Sequence, residues 1–144
     1  MKALFAFLAC TLISSAALAQ ATPVGLWKTI DDDGKTEKSL VRITESGGVL
    51  TGSIEKVFDA SKQADVCDKC EDDRKNKPVV GLQIIRGIKQ DADDKALWTG
   101  GEVLDPAKGK TYKARLKPIE GGKKLEMRGY IGFFYRTQTW VRVE

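Results

Sequence analysis

Past an apolar opening stretch, the hydrophobic positions of this chain come in short alternating runs. Ser39, Val41 and Ile43 alternate with Leu40, Arg42 and Thr44. Leu50, Gly52, Ile54 and Phe58 share one parity, while Thr51, Ser53 and Glu55 share the other. Tyr112, Ala114 and Leu116 alternate with Lys113, Arg115 and Lys117. A period of two is the signature of strands with one buried face. The pattern predicts strands over 27–30, 39–44, 49–58, 79–88, 96–104, 111–116, 125–131 and 133–143. Turn chemistry separates them: Asp31-Asp32-Asp33-Gly34, Ser46-Gly47-Gly48 and Pro118-Ile119-Glu120-Gly121-Gly122. Residues 59–78 form a long polar connection, and only 59–64 or 79–86 leave room for a turn or two of helix.

About eight strands at hairpin spacing predict an all-β domain, an up-and-down antiparallel barrel. Closing the sheet removes its exposed edges. At about eight strands the interior is either filled by side chains or holds one small ligand. Glycines inside strands, at Gly52, Gly100, Gly101, Gly129 and Gly132, fit the bends and bulges of barrel corners. A β-sandwich would use the same meander.

The opening stretch changes the compartment. Met1-Lys2 is a short positive start, residues 3–13 are mostly apolar, and Ala17-Leu18-Ala19 has the small-x-small form of a cleavage site. This is signal-peptide anatomy, with cleavage expected after Ala19 or, next, after Ala21. The run is too short to span a bilayer, which takes about 20 apolar residues. Cys10 lies inside the apolar run, where a lipid-attachment site does not fit. The expected organisation is a signal peptide at 1–19 and one barrel domain at 20–144, working in the periplasm or after secretion.

Charge narrows the partners. The whole chain carries 24 basic and 20 acidic residues, and the leader holds one of those lysines and no acid. The balance is mildly basic and mixed, without a Lys/Arg block, which argues against nucleic acid. The chain has no histidine, which excludes Ser-His-Asp and Cys-His nucleophilic sites, histidine-bearing zinc sites and histidine acid–base chemistry. No carboxylate pair with telling spacing on rigid strands is visible. The reading is therefore non-enzymatic, with no cofactor and no metal.

Cys67-Asp68-Lys69-Cys70 is the sharpest local motif. A redox dithiol needs a lowered thiol pKa, yet Asp65, Asp68, Glu71, Asp72 and Asp73 surround this pair. A structural disulfide in an oxidising compartment fits better. Two thiolates without histidine make an incomplete zinc site. The acidic run 65–73 lacks the alternating spacing of a calcium loop, and Lys69, Arg74 and Lys75 dilute it, so it reads as a solvated loop. The stripe Lys113, Arg115, Lys117 reads either as a site for anionic lipid or polysaccharide or as the solvent face of a strand, the latter preferred.

Several motifs in fixed order carry a resemblance. They are Gly25-Leu26-Trp27, Val41-Arg42-Ile43, Gly52-Ser53-Ile54, Cys67-x-x-Cys70, Lys77-Pro78-Val79-Val80-Gly81-Leu82, Asp105-Pro106 with Gly109-Lys110-Thr111-Tyr112, residues 125–132, and Arg136-Thr137-Gln138-Thr139-Trp140. Together they resemble an exported bacterial family, domain of unknown function 2147, over nearly the whole mature chain. The pattern departs at Tyr135, where a small residue is expected. The resemblance implies a lipocalin-like barrel and an envelope or secreted location, with no established activity. Gly25-x-Trp27 also resembles the opening of lipocalins, which implies a Trp plugging one barrel end under an Arg of the last strand, here Arg136 or Arg142.

The last strand carries the candidate site. Phe134, Arg136, Gln138, Trp140 and Arg142 share one parity, and Phe133, Tyr135, Val141 and Val143 share the other. If Arg136 and Gln138 face inward, they orient the polar end of a ligand in an apolar cavity; if outward, ordinary packing closes the barrel. The candidate ligand residues are Arg136, Gln138, Trp140 and Tyr130; the barrel-end group is Gly25, Trp27 and Arg142. The expected function is binding of a small hydrophobic or amphipathic molecule, the alternative a cell-envelope protein–protein interaction module with a packed interior.

Overall fold

Alternation with one apolar face becomes a closed sheet. A computed structural model describes residues 21–144; the proposed leader at 1–19 lies outside them. The strands are β1 (Gly25–Ile30), β2 (Glu37–Ser46), β3 (Val49–Val57), β4 (Gln83–Gln90), β5 (Trp98–Asp105), β6 (Lys110–Ile119), β7 (Lys124–Ile131) and β8 (Phe134–Arg142). Each pairs antiparallel with the next, and β8 returns to β1, making an eight-stranded up-and-down barrel. Single 3-10 turns at Ala60–Lys62 and Glu120–Gly122 are the helical content of the described residues.

The inward positions are those the alternation marks. Val41, Ile43, Leu50, Ile54, Ala114, Leu116 and Leu125 are buried, with Trp27, Trp98 and Trp140 among them. Lys113, Arg115 and Lys117 lie on the outer face of β6, between buried Ala114 and Leu116. Gly52 faces inward against Ile85, where a Cβ would come within 3.0 Å of it.

Two expectations need correcting. The fourth strand starts at Gln83, not at residue 79. Gly81 takes a positive φ of 91°, its N–H donates to the Ile54 carbonyl, and the Leu82 N–H donates back to Val79. A turn therefore consumes Val79 and Val80, which read as strand by composition alone. Phe58 is not a core residue. The β2–β3 register slips between Leu40 and Val41, so Glu55 is an extra residue in β3. A bulge of this kind inverts the parity beyond it, and Val57 packs against the core instead. The polar stretch before residue 64 does form a 3-10 turn, capped by the Asp59 carboxylate on the Ser61 N–H.

The long connection between β3 and β4 folds back on the outside of the barrel. It covers Ile84 and Leu104, outer-face residues of β4 and β5, with Cys67, Cys70 and Leu82. Cys67 and Cys70 form a disulfide. Gly109, in the β5–β6 turn, lies so close to this loop that a Cβ there would stand 2.1 Å from the Lys69 carbonyl oxygen. Arg74 is buried beneath the loop, bonded to Asp72 and to the Gln83 carbonyl. Asp72 and Asp73 are thus taken up by Arg74 and Arg86. The disulfide closes a very short ring, so its reduction is expected to lower the unfolding free energy by about 2 kcal/mol or less. Urea titration with and without reductant measures this.

Among the described residues no helix is long and apolar enough to cross a membrane.

Candidate functional site

The two ends of the barrel differ. At the end where β1 begins and β8 finishes, the Arg142 guanidinium carbon lies 4.2 Å from the centre of a Trp27 ring. A cation over an indole face is attracted by the ring quadrupole. The Trp27 indole N–H donates to the Pro23 carbonyl at 2.7 Å. Arg142 donates to the carbonyls of Gly122, Val24 and Thr22 at 2.5, 2.8 and 2.6 Å. One side chain thereby ties the segment before β1 to the β6–β7 turn across the barrel floor. Burial lowers the Arg142 pKa. Gly25 belongs to the same construction: a Cβ there would lie 2.5 Å from Arg142 Nη1 and 2.4 Å from the Glu144 carbonyl oxygen, and its φ is 143°. Of the two arginines proposed for this role, Arg142 fills it and Arg136 does not.

Toward the opposite end the β1–β8 ladder is short. Strands β7 and β8 stay in register from Lys124↔Val141 to Ile131↔Phe134. Strands β1 and β8 pair at Trp27↔Arg142 and Lys28↔Val141, and Leu26 exchanges backbone hydrogen bonds with Val143 and Glu144 just past β8. Beyond Lys28↔Val141 the pairing of β1 with β8 ends. Side chains make the bridge there: Arg136 Nη1 donates to Asp32 Oδ2 at 2.9 Å and Gln138 Nε2 to Asp32 Oδ1 at 2.8 Å. The bridge continues inward, because the Trp140 indole N–H donates to Gln138 Oε1 at 2.9 Å. Thr29 and Ser39, inward on β1 and β2, share a hydroxyl hydrogen bond of 2.8 Å and are buried.

Trp140 is buried, so the face it shares with Arg136 and Gln138 is the inner one. These three expected site residues form one chain from core to mouth. Tyr130 does not join them. It lies on the outer face of β7, opposite Tyr135 with ring centres 5.8 Å apart, and the Arg128 guanidinium covers Tyr135 at 4.3 Å. The parity of β7 explains this, since Leu125 and Met127 point inward and the even positions outward. Asp32 was legible only as a turn residue. Yet Asp33 supplies the turn bonds: its carboxylate accepts from the Thr36 hydroxyl, which lowers its pKa most, and from the Thr36 and Lys35 N–H groups, which lower it further. Asp32 is left to turn toward β8. Phe134, which shares the parity of Arg136 and Gln138 but is not among the expected ligand residues, stands at the mouth and is 82% exposed.

The floor is filled. Trp27, Ile43, Leu50, Ile88, Leu116, Leu125 and Trp140 are almost wholly excluded from solvent. Two recesses of about 240 and 220 Å³ lie beside the β3–β4 loop, one at Cys70 and Leu104, the other at Arg74 and Leu82.

The fold has a solved counterpart. Protein HP1028 from the human pathogen Helicobacter pylori, described as belonging to the lipocalin family, superposes with a TM-score of 0.72. The match is 22% identical and covers 86% of this chain and 84% of that one. No curated protein matches the sequence. Residues 25–142, which run from the first glycine of β1 to the arginine that caps it, match a family described as an uncharacterized protein conserved in bacteria (DUF2147). The chain belongs to that bacterial family, and its barrel is lipocalin-like.

Proposed function

We propose that this protein is an exported, non-enzymatic barrel that takes a small apolar or amphipathic molecule at its mouth. The observation that carries the reading is the Asp32 bridge: a carboxylate of this chain already occupies Arg136 and Gln138 on the inner face of β8. An anionic head group of a ligand satisfies the same two donors. Its apolar part then lies against Phe134 and Ile131, exposed inner-parity residues at the rim, and toward Tyr112 and Val103 within. A few polar groups converging beside apolar walls are the usual design of a small-molecule site. Because the floor is filled, the ligand is held near the rim. Residues 1–19 supply export, and a disulfide at Cys67–Cys70 accords with an oxidising compartment.

The probe is lauric acid, a carboxylate with a single alkyl chain. Asp32→Ala is expected to tighten its binding by several-fold at most, because an exposed ion pair such as Arg136–Asp32 is worth only about 0–1 kcal/mol. Arg136→Gln is expected to weaken it. Titration calorimetry gives both values, and native mass spectrometry of protein purified from its own periplasm looks for a retained small molecule. The reading fails if the exported protein retains nothing and lauric acid binds neither form.

The filled floor favours one second reading, an envelope interaction module with no ligand. A co-purifying polypeptide mass in the same experiment supports it.

A further inference from the structure

The β7–β8 hairpin tip exposes what a soluble domain ordinarily hides. Phe133 is 101% and Phe134 82% exposed, and Ile131 and Tyr135 are both more than half exposed. Exposed apolar groups scattered singly need no explanation, but a contiguous group marks a contact surface. Here four such residues lie within five positions, at the end of a hairpin with a positive-φ Gly132 beside them.

The sheet behind the tip is basic. On the outer faces of β6 and β7 stand Lys113, Arg115, Lys117 and Arg128, with Glu126 the acid among them. Arg115 is directly opposite Arg128. Like charges facing each other across a strand pair are destabilising, and one carboxylate offsets the two cations only in part. Glu126 is shared between them, 3.2 Å from Arg115 and 3.7 Å from Arg128. Other nearby acids are engaged elsewhere: Glu102, opposite Lys113 on β5, turns to Arg74, and Asp32 to Arg136. Lys113 is level with Tyr130, roughly two residue steps or 7 Å behind the turn. That is within the screening length of about 8 Å at physiological salt.

We infer that the β7–β8 tip and the basic outer face of β6–β7 form a docking surface for an anionic phospholipid bilayer. Phe133 and Tyr135 enter the headgroup region, and Lys113 and Arg128, the basic residues nearest the tip on this face, lie toward the lipid phosphates. Aromatic side chains favour this zone, and each basic residue near an anionic surface adds attraction that falls with salt. The contact is peripheral, without a spanning segment. It does not depend on the mouth holding a ligand.

The test uses the exported protein, with its N-terminus established by mass spectrometry so that the apolar leader does not contribute. Co-sedimentation is measured with vesicles of phosphatidylcholine alone and of phosphatidylcholine mixed with phosphatidylglycerol. Binding is expected to the mixed vesicles, weakening as salt rises. Phe133→Ser, which leaves the inward Phe134 in place, is expected to reduce it roughly tenfold. Lys113→Gln is expected to reduce it roughly fivefold. All substituted positions are on the outer surface, and circular dichroism checks the fold. The inference is overturned if mixed vesicles do not bind the protein, or if both variants bind like the parent. Self-association abolished by Phe133→Ser without vesicle binding also overturns it, and assigns the tip to a second copy of the chain. Binding to a soluble polyanion such as heparin, with none to vesicles, does the same.

Discussion

Replacing Trp27 with alanine is expected to destabilise the barrel by about 3–5 kcal/mol, the range for truncating a large buried aromatic. Three losses combine. The side chain is completely buried, so its removal leaves a cavity at the floor. Its N–H to Pro23 disappears and leaves that carbonyl without its donor. Arg142 also loses the indole face it lies on, and a half-buried guanidinium keeps only its carbonyl partners. Small domains are stable by roughly 5–15 kcal/mol, so this change alone removes a large fraction of the total. Trp27→Phe separates the parts, since a ring remains beneath Arg142 while the hydrogen bond is lost; about 1–2 kcal/mol is expected. Urea melts of the two variants give the comparison. A Trp27→Ala cost below about 1 kcal/mol contradicts the view that this group seals the floor.

Much of the barrel was readable because a period of two is an unambiguous signal wherever one face is buried. β2 and β6 alternate cleanly, and their inward residues are those the pattern marks. Trp27 was legible for a different reason, through Gly25-x-Trp27, whose glycine is required by the close approach of Arg142. The failures also have physical causes. Val79 and Val80 have strand composition, but hydrogen bonds around Gly81 bend the backbone into a turn. Phe58 kept the expected parity in sequence and lost it in space, because one extra residue at Glu55 shifts the register. The inner face of β8 was ambiguous because aromatics occur at both parities; burial of Trp140 decides it. Asp32 had no distinguishing mark among three consecutive aspartates, since its role depends on where the pairing of β1 with β8 ends. That end point is a property of the closed sheet, which no local pattern encodes.

Arg74 is the clearest case of a residue whose role is invisible in sequence, and its removal has the second large effect. In the chain it is one of several cations diluting an acidic run; in the fold it is buried while its partners are at the surface. Its Nε lies 3.1 Å from both Asp72 oxygens, Nη2 2.6 Å from Asp72 Oδ2, and Nη1 2.9 Å from the Gln83 carbonyl. Glu102 adds a contact at 3.5 Å. Arg74→Ala is expected to cost about 3 kcal/mol, the low end for breaking a buried pair, because the two carboxylates left behind reach water. Arg74→Met fills the space without the bonds and is expected to recover part of that loss. A pH signature distinguishes lost bonding from lost volume. The Arg74 hydrogen bonds hold the Asp72 carboxyl at about 2, below its ordinary 3.8. A carboxyl with a lowered folded-state pKa stabilises the protein above its unfolded value, and that stability disappears as pH falls through the folded one. The window therefore runs from about 3.8 down to about 2. Asp72 is 43% exposed, so solvent screening holds the contribution to about 1 kcal/mol. Both Arg74 variants are expected to lose stability less steeply than the parent between about pH 5 and pH 2. Other carboxyls with lowered pKa, such as Asp33 and Asp91, cancel in the difference. Parallel curves for parent and variants would show that Arg74 acts through packing alone.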